Sequence, residues 1–139
     1  MSDILTLTMN PALDISTAID RVEPVHKLRC GPHQTHPGGG GINVARVLHR
    51  LGSRVTAIYT AGGPLGRELS ALLDAEGVPS QVVPIAGATR ESFSGFERRS
   101  GQDFRFVLPG PTLTEPEWTA CLDAVVAGLA QARYVVVSG

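Results

Sequence analysis

Hydrophobic and polar positions along this chain alternate between two rhythms. Residues 4–9 interleave aliphatic side chains with threonine and then break at Asn10-Pro11, which predicts a strand. From Ile42 the spacing changes. Ile42, Ala45, Leu48 and Leu51 recur every third residue and Gly52 follows as a stop, so a helix is predicted with Asn43, Arg46 and Arg50 on its polar side. Residues 54–59 are rich in strand formers. Residues 65–76 form a second predicted helix, with Leu65, Leu69, Leu72 and Leu73 on its apolar face and Gly77 closing it. A short strand is predicted over 80–84, and residues 91–107, interrupted by SGQD, carry the signature of a β-hairpin. Thr114, with Glu117 three residues later, forms a capping-box pattern that opens a helix running to residue 130. The uninterrupted apolar run at 134–137 suits a fully buried central strand. LDISTAID at 13–20 and KLRCGPHQTH at 27–36 read as weaker, half-exposed strands.

Strands alternating with helices imply an α/β fold, a parallel sheet covered on both faces. The polar, hairpin-like stretches near 13–36 and 90–108 predict a small antiparallel sheet projecting from that layer. The sequence has no internal repeats, low-complexity tracts or obvious linkers, and 139 residues fit one domain. The net charge of −1, without runs of like charge, argues against nucleic-acid and membrane-surface partners. Two cysteines, Cys30 and Cys121, are too few for a disulfide framework and point to a reducing compartment. The opening MSDILTLTMN has neither a basic n-region nor a long apolar run, against a signal peptide. No segment reaches the ~20 apolar residues that span a bilayer.

The candidate chemistry centres on PGGGGINVAR at 37–46. Four glycines precede a helix whose first N–H groups have no intrahelical acceptor and lie at the positive end of the dipole. Bare backbone there lets a ligand oxygen approach those donors. The Walker pattern is absent, and the dinucleotide pattern fails because Asn43 and Val44 stand where glycine is required. A flexible glycine loop with no ligand is the competing reading. Asn43, an amide in the first helical turn, adds both a donor and an acceptor suited to a hydroxylated ligand.

GGGGINVA, with Gly52 seven residues past Ala45 and Gly62 ten further on, resembles the N-terminal signature of the ribokinase-like sugar kinases. TLTMNPALD resembles the opening segment of their sugar-phosphate branch, which comprises phosphofructokinases, tagatose-6-phosphate kinases and 1-phosphofructokinases. KLRC at 27–30, PGGGGINVAR, TAIYTAGG and FRFVLPG are most similar to the ribokinase-like (type II) 6-phosphofructokinases, and the similarity runs from Ile4 to Gly139.

That resemblance implies a ribokinase-like three-layer α/β/α fold, present as its N-terminal portion over residues 1–139, with a β-sheet lid near 13–36 and 90–108 that makes a homodimer contact. It implies a cytoplasmic enzyme that moves the γ-phosphoryl of ATP, with Mg2+, to a sugar phosphate. By resemblance, Asp14 accepts hydrogen bonds from sugar hydroxyls, and Gly39, Gly40 and Asn43 hold the sugar. Arg90 binds the phosphate already on it, Arg105 on the next lid strand assists, and Ser138 closes the site at a strand end, where open α/β sheets place ligands. Lys27 reaches the nucleotide phosphates from a partner subunit, and Arg29 is a weaker candidate for the substrate phosphate. Each has a plainer alternative: a turn residue for Asp14, a solvated strand arginine for Arg105, a surface charge for Lys27. Alternation along the strand predicts that Arg105 points away from Phe104 and Phe106.

Two departures matter. Ala12 stands where the most similar fructose-6-phosphate enzymes carry serine, so fructose 6-phosphate, tagatose 6-phosphate and fructose 1-phosphate stay open in that order. The GAGD motif, whose aspartate is the family's general base, is absent along with the nucleotide pocket and the magnesium-linked glutamate. The chain is therefore expected to carry no catalytic residue and to be inactive alone. A non-catalytic sugar-phosphate-binding module is the alternative. His26, His33, His36 and His49 lack metal-site spacing and read as solvated residues; Trp118 reads as a packing residue.

Overall fold

Strand β1 (Ile4–Thr8) is central to how the chain is laid out. It is flanked in parallel by β4 (Val55–Ala61) and β8 (Tyr134–Ser138), and β5 (Ser80–Pro84) pairs in parallel with β4, giving the order β5-β4-β1-β8. The computed structural model describes residues 2–139. Register divides the side chains between two faces. Ile4, Val55, Ala57 and Tyr59 share one, where they pack with Ile42 and Ala45 of α1 (Gly40–Arg50) and Leu69 and Leu73 of α2 (Gly63–Ala75). Leu7, Ile58 and Val83 lie on the other, against Cys121 and Ala124 of α3 (Glu115–Gly128). Helices cover both faces, which is the three-layer α/β/α arrangement.

The second sheet has the order β3-β2-β6-β7, from β2 (Ala12–Ile19), β3 (Gln34–Gly38), β6 (Arg90–Glu97) and β7 (Gln102–Val107). It is mixed rather than antiparallel, because β2 and β6 run parallel. The reason is topological. β2 leaves the end of β1 and β6 leaves the end of β5, and both parents belong to one parallel sheet. Their extensions therefore travel the same way, and only the return strands β3 and β7 are antiparallel. Gly101, at φ +72°, takes the left-handed position in the β6–β7 turn.

Residues 20–33 contain no strand. They form an exposed excursion pinned at its base, where the Gly31 N–H donates to Ala18 O at 2.9 Å, Thr17 Oγ1 donates to Gly31 O at 2.9 Å, and the Val22 N–H donates to Glu97 Oε1 at 2.5 Å. The Ser100 hydroxyl and that N–H hold the Glu97 carboxyl below its ordinary value. Among the described residues the apolar run of β8 lies at an edge rather than in a buried central position: it pairs with β1 alone, and Tyr134 and Val137 are 62% and 67% exposed. The helices start earlier than the apolar spacing indicates, at Gly40 and Gly63, because their first turns are glycine-rich and leave no periodic mark.

Candidate functional site

The glycine run joins β3 to α1, and its bareness has a local cause at each position. A Cβ on Gly38 would strike the Asp14 carboxylate. One on Gly39 would meet Thr8 and Pro11, and φ of +120° there already disfavours a side chain. Gly40 faces the Ser138 hydroxyl, and Gly41 lies on Thr8 and the backbone of Leu7. The close approach is therefore made first by the protein's own groups, and it brings Asp14, the run and Ser138 to one place. Gly39 caps α1 with no side-chain bond, its carbonyl accepting the Asn43 N–H at 2.9 Å. Gly40 and Asn43 are exposed, while Gly41 and Ile42 are buried. One open helix N-terminus thus faces solvent beside a carboxylate and a hydroxyl.

Lid register supplies the cations. Asp14 lies opposite Ser92 on β6 and His36 on β3, and Arg105 lies opposite Ser94. Phe93 and Phe106 pair on the opposite face, ring centroids 6.2 Å apart, so Arg105 does point away from its neighbouring phenylalanine. Asp14 and Arg105 share a small cavity of about 70 Å³ with Ser92 and Ser94. Burial pushes the Asp14 carboxyl above its ordinary value, opposed by the charges of Arg90, Arg105, His36 and Arg46. Arg90 and Arg105 make no ion pair among the described residues, so beside this one carboxylate they offer uncompensated positive charge, an environment suited to an anion.

Arg90 opens β6 opposite Ala12. Its Nε and Nη2 donate to Asn10 O at 3.4 and 3.2 Å, and Nη1 donates to Leu108 O at 3.3 Å. It ties the Asn10-Pro11 corner to the loop after β7, and two of its five N–H groups remain for another acceptor. Lys27 and Arg29 stand apart from this group, exposed on the 20–33 excursion with no ion pair among the described residues. A larger depression of about 420 Å³ lies along α2, lined by Gly62, Arg67, Ser70 and Asp74, and shares no residue with the Asp14 group. Among the described residues no cluster of His, Cys, Asp and Glu could hold a metal ion. No helix among them is long and apolar enough to cross a membrane.

The family model for the pfkB family carbohydrate kinases matches residues 7–139. The chain belongs to the pfkB family. It is 55% identical over 136 residues to the ATP-dependent 6-phosphofructokinase isozyme 2 of Mycobacterium tuberculosis, covering 98% of this chain and 40% of that protein. It superposes on phosphofructokinase-2 from Escherichia coli in complex with fructose-6-phosphate with a TM-score of 0.93 and 41% identity, over 100% of this chain and 46% of that one. Ribokinase from Giardia lamblia, 17% identical, shares the fold at a TM-score of 0.81 over 99% of this chain and 44% of its own. The chain thus spans under half the length of the relatives it matches. In pfkB-family terms, the described residues supply the ribokinase-like layer and its lid.

Sequence reasoning missed the part played by Arg46. Its spacing placed it on the polar side of α1, yet its side chain is 14% exposed and bonded to two other elements. No local signal marks a partner 30 residues away.

Proposed function

We propose that the polypeptide carrying this chain transfers the γ-phosphoryl of ATP to a sugar phosphate, fructose 6-phosphate to fructose 1,6-bisphosphate, and that these residues supply its sugar-phosphate-binding half. One observation carries the reading: the Asp14 carboxylate sits on Gly38, beside the open N-terminus of α1, with Arg90 and Arg105 as charged neighbours. A carboxylate accepts from sugar hydroxyls, and the N–H groups near Gly39 and Gly40, the Asn43 amide and the Ser138 hydroxyl donate to them. A guanidinium fork matches phosphate oxygens, which assigns the phosphate to Arg90 and Arg105. The relative from Escherichia coli holding fructose-6-phosphate supports this choice of ligand.

Lys27 serves the nucleotide phosphates from a partner subunit, across a homodimer formed by the lid strands near 13–36 and 90–108. The exposed Phe93 and Phe106 favour such a contact. Within that enzyme, which uses Mg2+ with ATP, this chain's part is to bind and orient the sugar phosphate. The enzyme works in the cytoplasm. Calorimetry with fructose 6-phosphate tests the reading. Arg105→Ala should weaken binding by about 10- to 100-fold, the worth of a charged hydrogen bond at 1.5–3 kcal/mol. The 139-residue chain alone should turn over no ATP. No measurable binding by the full-length gene product, or equal binding by the variant, would remove the assignment.

A further inference from the structure

The carbonyl of Pro37 lies one residue before the glycine run, and it is held from α1. Arg46 Nη1 donates to Pro37 O at 3.1 Å. The rest of the same guanidinium grips Glu76, with Nε at 3.0 and 2.9 Å from its two oxygens and Nη2 at 2.6 Å from Oε1. Glu76 is the C-cap of α2, where a carboxylate meets the negative end of the helix dipole and needs a cation close by. Arg46 provides it, and the exposed Arg50 adds one bond at 3.2 Å. A single planar group therefore ties the end of β3 to the end of α2 and to its own helix.

We infer that Arg46 is a positioning residue for sugar-phosphate binding: by holding Pro37 O it fixes the orientation of the N–H groups and the amide presented by Gly39, Gly40 and Asn43. The inference rests on the proposed function. The fork geometry makes it specific. Lysine keeps the charge beside Glu76, but one ammonium cannot make the in-plane pair to the carboxylate and also reach the carbonyl. Among the described residues the Arg50 side chain hydrogen-bonds to Glu76 and not to Pro37, so it is a control that leaves that carbonyl alone.

The test uses the full-length gene product. Arg46→Lys should raise both the Kd and the KM for fructose 6-phosphate about tenfold, the worth of one hydrogen bond to a well-placed group. The KM for ATP should stay at the wild-type value, and kcat should change far less than KM. Amide hydrogen exchange should quicken over residues 38–43 and not in α3. Arg50→Lys should match wild type on every readout. Glu76→Gln, which keeps one acceptor for Arg46, should show the same pattern more weakly, and decides the matter if Arg46→Lys does not fold. Wild-type affinity in the folded variants overturns the inference, as does a loss spread equally over both substrates with exchange quickened throughout. Absence of sugar-phosphate binding in the wild type is a different result: it overturns the functional reading and this inference together.

Discussion

Gly40 and Gly41 are neighbours with different duties. A Cβ on Gly41 would press on the Thr8 hydroxyl and on the Leu7 backbone, and that backbone cannot yield without moving β1. Gly41→Ala should therefore destabilise the protein by about 1–3 kcal/mol, the usual cost of overpacking. A Cβ on Gly40 would meet only Ser138, whose hydroxyl can rotate away and whose Cβ need give only slightly, and the position is otherwise exposed. Gly40→Ala should change stability by no more than about 0.5 kcal/mol, as surface substitutions do, while weakening sugar-phosphate binding. Urea unfolding and calorimetry on both variants check this. Equal stability losses would mean that the run is a packing feature throughout, with no donor kept clear for a ligand.

At the scale of elements, the pair that joins α1 to α2 has a pH signature. Hydrogen bonds from Arg46, with the charges of Arg46 and Arg50, hold the Glu76 carboxyl below its ordinary value of 4.5, against the opposing effect of burial. A carboxyl whose folded value is depressed binds its proton more weakly when folded. Its stabilising contribution is therefore complete above the unfolded value and is lost as pH falls through the folded one. The stability difference between wild type and Glu76→Gln should be constant from pH 6 to 8 and shrink below pH 4.5. A difference that persisted unchanged into acid would show that the carboxylate is not charged in the pair. Apolar spacing predicted α1 and α2, and the motif at 37–46 marked the glycine run before α1, because those signals are local. The sequence could not pair Arg46 with Glu76, since two polar-face residues 30 positions apart carry no mark of each other. It also could not see that β2 and β6 would run parallel, which depends on where each leaves the main sheet.

For the whole molecule, β8 poses the main question. Its apolar run shows that the strand is suited to burial, and periodicity cannot say which neighbour does the burying. Here one edge is open. Val135 and Val137 share register with Leu5 and Leu7, which places them on the α3 side of the sheet, and they are 38% and 67% exposed. Trp118, Leu122 and Val126, spaced by four along α3, and Leu129 at its C-cap are exposed as well. An open strand edge beside apolar side chains is a template for association. The 139-residue chain in isolation should therefore self-associate as its concentration rises, as read by sedimentation velocity. A double change, Val126→Lys with Val137→Lys, should shift it toward monomer, because charge on an edge opposes pairing. Amides of β8 should exchange quickly in the isolated chain and slowly in the full-length product, where additional structure would cover that edge. Monodisperse behaviour at high concentration, with β8 protected equally in both, would mean that this edge is stable as it stands and that β8 needs no further neighbour.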